Sequence, residues 1–190
     1  IGRIEPTSLE AYRTEGGYVG LRAALDLAPA AIVAAVTESG LRGRGGAAFP
    51  TGIKWKTVLD QQATQKYVVC NADEGDSGTF ADRLIMECDP YVLIEGMTIA
   101  GLAVGATQGY IYLRIEYPHA ARILARALSV ARARGHLGES ILEYRAIGRG
   151  EPIRLPWHRL QKKMQRAERL GSPSIGFRFL FRRHGQFREE

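Results

Sequence analysis

Lys66-Tyr67-Val68-Val69-Cys70-Asn71-Ala72-Asp73-Glu74-Gly75-Asp76-Ser77-Gly78-Thr79-Phe80 begins as a β-branched run and turns abruptly polar. Lys66 to Cys70 reads as a short buried strand. The residues after it form a loop at the strand's carboxyl end, the edge where open α/β sheets seat ligands. Its acids suit hydrogen bonds from sugar or ribityl hydroxyls. Asp and Ser also make turns and cap helices, and that plainer use stands beside the first. A calcium loop is a third reading, but the Asp73, Gly75, Ser77 spacing misses the alternation such loops need.

Downstream, Asp82 to Glu87 reads as a helical turn. Asp89-Pro90 then starts a helix that runs to about Val104. That helix is apolar almost all round, so burial is expected. Gly96, Gly101 and Gly105 invite close packing of another backbone. Glu95 inside it is either a buried, bonded structural acid or a functional one. Gln108 to Arg114 alternates as a second strand. Pro118 to Arg134 is an amphipathic helix with Ala121, Leu124, Ala125 and Leu128 inward. Strand, loop, helices, strand and helix in this order predict a parallel sheet with flanking helices.

Upstream, Ser8 to Asp26 is helical in pattern and broken at Gly16-Gly17, with Tyr18, Leu21 and Leu25 on one face. A second helix spans about Pro29 to Ser39. Gly40-Leu41-Arg42-Gly43-Arg44-Gly45-Gly46-Ala47-Ala48-Phe49-Pro50-Thr51-Gly52-Ile53-Lys54-Trp55 follows. So many glycines weaken helix and strand alike, and their physical use is close approach of backbone N–H groups to an anion. Arg42, Arg44 and Lys54 add positive charge, and Phe49 offers a flat face for a ring. The alternative is a flexible loop with solvated arginines. Gly43 to Ala48 fits a loose dinucleotide fingerprint, but that fingerprint follows a strand and opens a helix. Here a helix precedes, a Pro50-Thr51-Gly52 turn follows, and a short helix is expected only from about Ile53 to Gln61. No Gly-x-x-x-x-Gly-Lys-Ser/Thr is present.

The chain has 190 residues, enough for one domain with a core. Cys70 and Cys88 are too few for a four-cysteine metal or cluster site and suggest a reducing, cytoplasmic setting. The longest apolar run, Met97 to Ala106, is too short to span a bilayer, so no direct membrane insertion is expected. No secretory leader is legible in Ile1-Gly2-Arg3-Ile4-Glu5-Pro6, and the missing initiator Met suggests a processed or partial chain. Through Leu142 there are 14 Lys/Arg and 15 Asp/Glu; beyond it there are 12 and 5. The first part is therefore not basic, and a nucleic-acid reading would rest on the tail alone. That tail holds an expected basic helix, Arg159 to Leu170, and an aromatic run, Phe177 to Phe181. Contact with nucleic acid or anionic lipid is one reading of it. The preferred reading is a poorly ordered or frame-shifted segment, with no nucleic-acid partner.

Four ordered blocks resemble one family. They are the stretch from Gly40 to Trp55; Cys70-Asn-Ala-Asp-Glu-Gly-Asp-Ser-Gly-Thr-Phe-Ala-Asp-Arg83; Leu93-Ile-Glu-Gly-Met-Thr-Ile-Ala-Gly101; and Gly109-Tyr-Ile-Tyr-Leu-Arg-x-Glu-Tyr117. The family is the flavin- and NAD-binding subunit of respiratory complex I, found also in NAD-reducing hydrogenases and NAD-dependent formate dehydrogenases. The Glu-Gly-Asp-Ser-Gly wording and Glu116-Tyr-Pro-His-Ala120 look most like the formate dehydrogenase beta subunit. The resemblance covers roughly Pro29 to Leu142 and implies an α/β, Rossmann-like parallel sheet of the FMN-binding type seen in complex I, incomplete at the C-terminus. It divides the chain into a partial FMN/NAD-binding domain, 1–142, and a tail, 143–190, that does not match.

The resemblance further implies FMN against the glycine loop with NAD(H) stacked over it. Gly43, Arg44, Gly45, Gly46, Ala47, Gly52 and Lys54 would surround the flavin and its phosphate side, and Phe49 would stack on the dinucleotide. Asn71, Asp73 and Glu74 would hydrogen-bond the flavin, with Asp76 near the nicotinamide. Hydride transfer between nicotinamide C4 and flavin N5 is cofactor chemistry, so no catalytic residue and no metal ligand is assigned. Electrons would pass to iron–sulfur centres on other subunits of the complex. Ala48 stands where the family usually has Gly. The family's later Gly-Ala-Tyr-Ile-Cys-Gly-Glu-Glu-Thr-Ala motif, ubiquitin-like domain and Cys quartet for a 4Fe–4S cluster have no counterpart here.

Overall fold

The computed structural model describes residues 2–138 and the backbone of Ser174–Leu180. Helices α1 (Leu9–Thr14), α2 (Val19–Leu25), α3 (Pro29–Glu38) and α4 (Thr51–Leu59) precede strand β1 (Tyr67–Ala72). Helices α5 (Ala81–Cys88) and α6 (Pro90–Val104) lead to β2 (Gln108–Arg114), then α7 (Pro118–Ala133) and β3 (Ser174–Leu180). The expected helix at 159–170 and the tail on either side of β3 lie outside the described residues.

β1 and β2 pair in parallel, from Tyr67 opposite Gln108 to Ala72 opposite Leu113. β3 adds to the other side of β2 and runs antiparallel, giving the order β1-β2-β3. An antiparallel edge strand on a parallel sheet is a common arrangement. The parallel pair matches expectation; the third strand was not foreseen.

α6 is the centre of the molecule and packs against α2, α3, α4, α5, α7, β1 and β2. Asp89 stands at its N-cap and Pro90 inside its first turn, and Gly105 closes it in the left-handed region at φ 73°. Gly105 is thus a terminator rather than a packing notch, and Gly96 is exposed with open space around it. One face of the parallel pair, with Ile111, Leu113 and Ala72, is buried in the core beside Leu21, Ile94 and Leu124. Each large apolar side chain buried there contributes about 1.5–3 kcal/mol. The opposite face of β1 is open: Val69 is 63% and Tyr67 40% exposed. β1 is therefore half-buried, not the buried strand its β-branched run suggested. In α7 the inward stripe is Ala120, Ala121, Leu124, Ala127, Leu128 and Ala131, while Ala125 is exposed.

Glu95 is a structural acid. It is 8% exposed, and its Oε2 accepts from the Tyr12 hydroxyl at 2.6 Å and the Tyr18 N–H at 2.8 Å. Its Oε1 accepts from the Leu21 N–H at 2.9 Å. Tyr18 is the N-cap of α2, at φ 65°, and has no capping side chain of its own. A carboxylate on α6 therefore satisfies the otherwise orphaned amides at the start of α2 and ties α1 and α2 to the central helix.

Candidate functional site

α3 ends at Glu38, and Gly40 turns the chain at φ 67° into the glycine loop. Three bonds close the base of the loop. The Thr51 N–H donates to the Leu41 carbonyl and the Gly43 N–H to the Phe49 carbonyl, each at 2.9 Å; the Arg42 guanidinium donates to the Ala48 carbonyl at 3.1 Å. Arg42 and Pro50 form an antiparallel bridge. Arg42 thus serves the loop itself, and the tip from Arg44 to Ala47 projects beyond this ladder, exposed. A Cβ placed on Gly45 or Gly46 would meet nothing within 4 Å, so their lack of side chain answers to no protein neighbour. Gly46 sits at φ 98°, where glycine is needed. Such a tip, with Arg44 and Lys54 exposed nearby in sequence, fits a phosphorylated ligand that must approach backbone closely. Phe49 is 49% exposed and free to present its ring.

Two details of this region depart from expectation. α4 opens at Thr51 with Pro50 as its N-cap, so Thr51 and Gly52 are helical rather than a turn. Gly52 is buried, and a Cβ there would lie 2.1 Å from Thr37 Oγ1 and 2.7 Å from Thr37 Cα. Its glycine is explained by the α3–α4 contact. Ala48 adopts φ 50°, a left-handed conformation costly for a residue with a Cβ.

α4 and β1 are joined by residues 60–66, and Lys66 Nζ donates to the Leu59 carbonyl at 2.9 Å, tying the end of the helix to the start of the strand. Both elements lean on α6. The glycine loop leads into this unit and the acidic loop leaves it.

In the acidic loop the candidates do not behave alike. Asn71 is the last but one residue of β1, and its Oδ1 accepts from the Asp73 N–H at 3.1 Å. Asp73 and Asp76 are exposed, and the Asp76 carbonyl accepts from the Thr79 N–H and hydroxyl. Glu74 is occupied. Its Oε1 accepts from the Asp82 N–H at 3.1 Å and its Oε2 from the Arg83 N–H and the Tyr117 hydroxyl, each at 3.2 Å. Desolvation works against its charge, but the α5 amides and the Tyr117 hydroxyl prevail and hold its carboxyl below the ordinary value. Asp82, desolvated and beside that charge, is pushed up. Glu74 caps α5 from outside the helix, the plainer of the two uses its position allowed.

Arg114 and Tyr117 escaped sequence reasoning as site residues. The Arg114 guanidinium donates to the Glu74 carbonyl, and both Arg114 and Arg83 lie over the Tyr117 ring, at 5.3 and 5.5 Å from its centre. Their only signal was membership of the Gly109–Tyr117 block. A cavity lined by Cys70, Asn71, Asp82, Met86 and Leu93 holds about 110 Å³. Organic cofactors need roughly 300–1,000 Å³, so this cavity is too small to enclose one. Burial, then Asp82, pushes the Cys70 thiol up to about 11, so it stays protonated near neutral pH. Among the described residues no cluster of three His, Cys, Asp or Glu could hold a metal, and no helix is long and apolar enough to cross a membrane.

Comparison with known proteins places this geometry among relatives. The family described as the Nuo51 FMN-binding domain matches residues 36–165. The chain is 52% identical over 140 residues to the NADP-reducing hydrogenase subunit HndC of Solidesulfovibrio fructosivorans, covering 74% of this chain and 28% of that protein. It is 49% identical over 135 residues to an NADH-quinone oxidoreductase subunit of Aquifex aeolicus, covering 71% and 32%. Among solved structures, an NAD+-reducing NiFe-hydrogenase in the air-oxidized state aligns with a TM-score of 0.57 at 36% identity, over 70% of this chain and 24% of that one. The chain thus spans less than a third of the length of these relatives.

Proposed function

Because this chain belongs to the Nuo51 FMN-binding domain family, we propose that it forms part of the FMN-holding region of an NAD-linked oxidoreductase subunit. The observation that carries this is the glycine loop: closed at its base, open at Gly45 and Gly46, and flanked by Arg44 and Lys54. Arg44, Lys54 and the tip amides hold the phosphate, while Phe49 presents its ring to NAD(H). Asn71, Asp73 and Asp76 are the polar side chains left to meet cofactor hydroxyls once Glu74 is spent on α5. When bound, FMN supplies hydride acceptance from NADH. The protein's part is to hold two rings in register and needs no acid–base group.

The Glu74-Gly75-Asp76-Ser77-Gly78 and Glu116-Tyr117-Pro118-His119-Ala120 wording favours a formate dehydrogenase as the parent complex. Its other subunits would then take the electrons at iron–sulfur centres, in the cytoplasm. Purified protein mixed with FMN should stay yellow through gel filtration; a colourless product sinks the proposal. NADH oxidation by ferricyanide separates turnover from binding alone.

A further inference from the structure

The cofactor-facing shape of the acidic loop is held from a neighbouring strand. The loop connects β1 to α5, and exposed loops that carry ligand groups need support to keep their geometry. Glu74 is the residue through which that support reaches it. Its carboxylate takes two α5 amides and the Tyr117 hydroxyl, and its carbonyl takes the Arg114 guanidinium. Arg114 is the last residue of β2, one step beyond Leu113, whose partner on β1 is Ala72. It therefore stands alongside the point where the chain leaves β1. Tyr117 is the N-cap of α7, and its ring carries Arg114 and Arg83. Arg114 is further fixed by Glu116, Nε to Oε2 at 3.1 Å. One small cluster thus joins the end of β2, the start of α7, the start of α5 and the middle of the loop.

We infer that Arg114 and Tyr117 are positioning residues: by gripping Glu74 they fix the backbone that carries Asp73 and Asp76 to the cofactor face. The inference rests on the FMN reading for its functional consequence, but the grip is a property of the chain alone. Tyr117→Phe removes one hydroxyl and keeps the ring. Arg114→Gln removes the donor to the carbonyl and the cation on the ring. Hydrogen exchange of the full chain should rise about tenfold or more at the Asp82 and Arg83 amides and across 73–80, with α6 and the core of α7 unchanged. The FMN dissociation constant should rise about five- to tenfold, with the melting temperature nearly constant. A residue important only for global stability would move exchange everywhere and lower the melting point instead. Unchanged loop exchange in both variants overturns the inference, as does faster loop exchange with flavin affinity within about twofold of wild type. If the wild-type chain binds no flavin, the functional reading fails. The grip is then decided by exchange alone, with loop-confined loosening upholding it and its absence overturning it.

Discussion

Replacing Glu95 with alanine strands three buried donors at once. The Tyr12 hydroxyl and the Tyr18 and Leu21 amides all end on this carboxylate, at 2.6, 2.8 and 2.9 Å. A buried donor left unpaired costs about 1–3 kcal/mol. Three unpaired donors set an upper bound near 9 kcal/mol, and water entering the vacated space recovers part of it. The expected loss is about 4 kcal/mol, a large share of a domain's usual stability. Glu95→Gln keeps the shape but only one acceptor oxygen. If that oxygen serves Tyr12 and Tyr18, the new NH₂ confronts the Leu21 N–H; the expected loss is about 2 kcal/mol. Urea unfolding of wild type and both variants, with m held constant, reads these differences from the midpoints. A loss under about 1 kcal/mol for alanine, or glutamine as costly as alanine, refutes the capping role. Because Glu95 lies beneath α2 rather than on the loops, flavin affinity of the folded variants should be unchanged.

Three further outcomes follow from the same structure. Ala48→Gly relieves a left-handed residue worth roughly 1–2 kcal/mol and gives back about 0.4–1 kcal/mol in unfolded-chain entropy, so a net gain of about 0.5–1 kcal/mol is expected in urea unfolding. Gly52→Ala drives a Cβ into the Thr37 backbone and should cost about 1–3 kcal/mol; a neutral result would mean that α3 and α4 do not pack as described. His136 is buried against Tyr18, ring centres 4.1 Å apart, and burial, then the Arg13 and Arg22 charges against an opposing Glu95, hold its pKa below the ordinary 6.5. The unfolded chain then binds the extra proton first, so this histidine's contribution is intact above about pH 6.5 and is lost as pH falls through the folded value. His136→Phe should flatten that acid-side loss in unfolding midpoints compared at about pH 5 and pH 8; an unchanged difference counts against it.

The elements with strong local signals were legible in the sequence. α6 announced itself by Asp89-Pro90 and a continuous apolar run, and β2 by its alternation. The break at Gly16-Gly17 separated α1 from α2 because Gly17 lies against Tyr12, where a Cβ would stand 2.2 Å from the ring. Features that depend on distant partners stayed hidden. Glu95 could not be assigned a role without knowing that Tyr12, Tyr18 and Leu21 surround it. Gly52 looked like part of a phosphate loop because Thr37 is out of sight in the linear chain. Glu74 sat among acids of identical appearance, and only the fold gives it Arg114 and Tyr117. β3 was missed because the Phe177-to-Phe181 run was weighed as a contact surface or, preferably, as part of a poorly ordered or frame-shifted segment, although Ser174 to Leu180 carries a strand-like alternation.

The most direct test of the central claim is an FMN titration of the chain followed by flavin fluorescence, for wild type, Gly45→Val and Lys54→Ala. A side chain at Gly45 disturbs no protein contact, so its effect falls on a ligand's approach. Saturable binding is expected, weakened about tenfold or more by Gly45→Val, and weakened by Lys54→Ala and by added salt. No saturable binding in wild type, or binding indifferent to a valine at position 45, would contradict the assignment of this loop to a flavin phosphate.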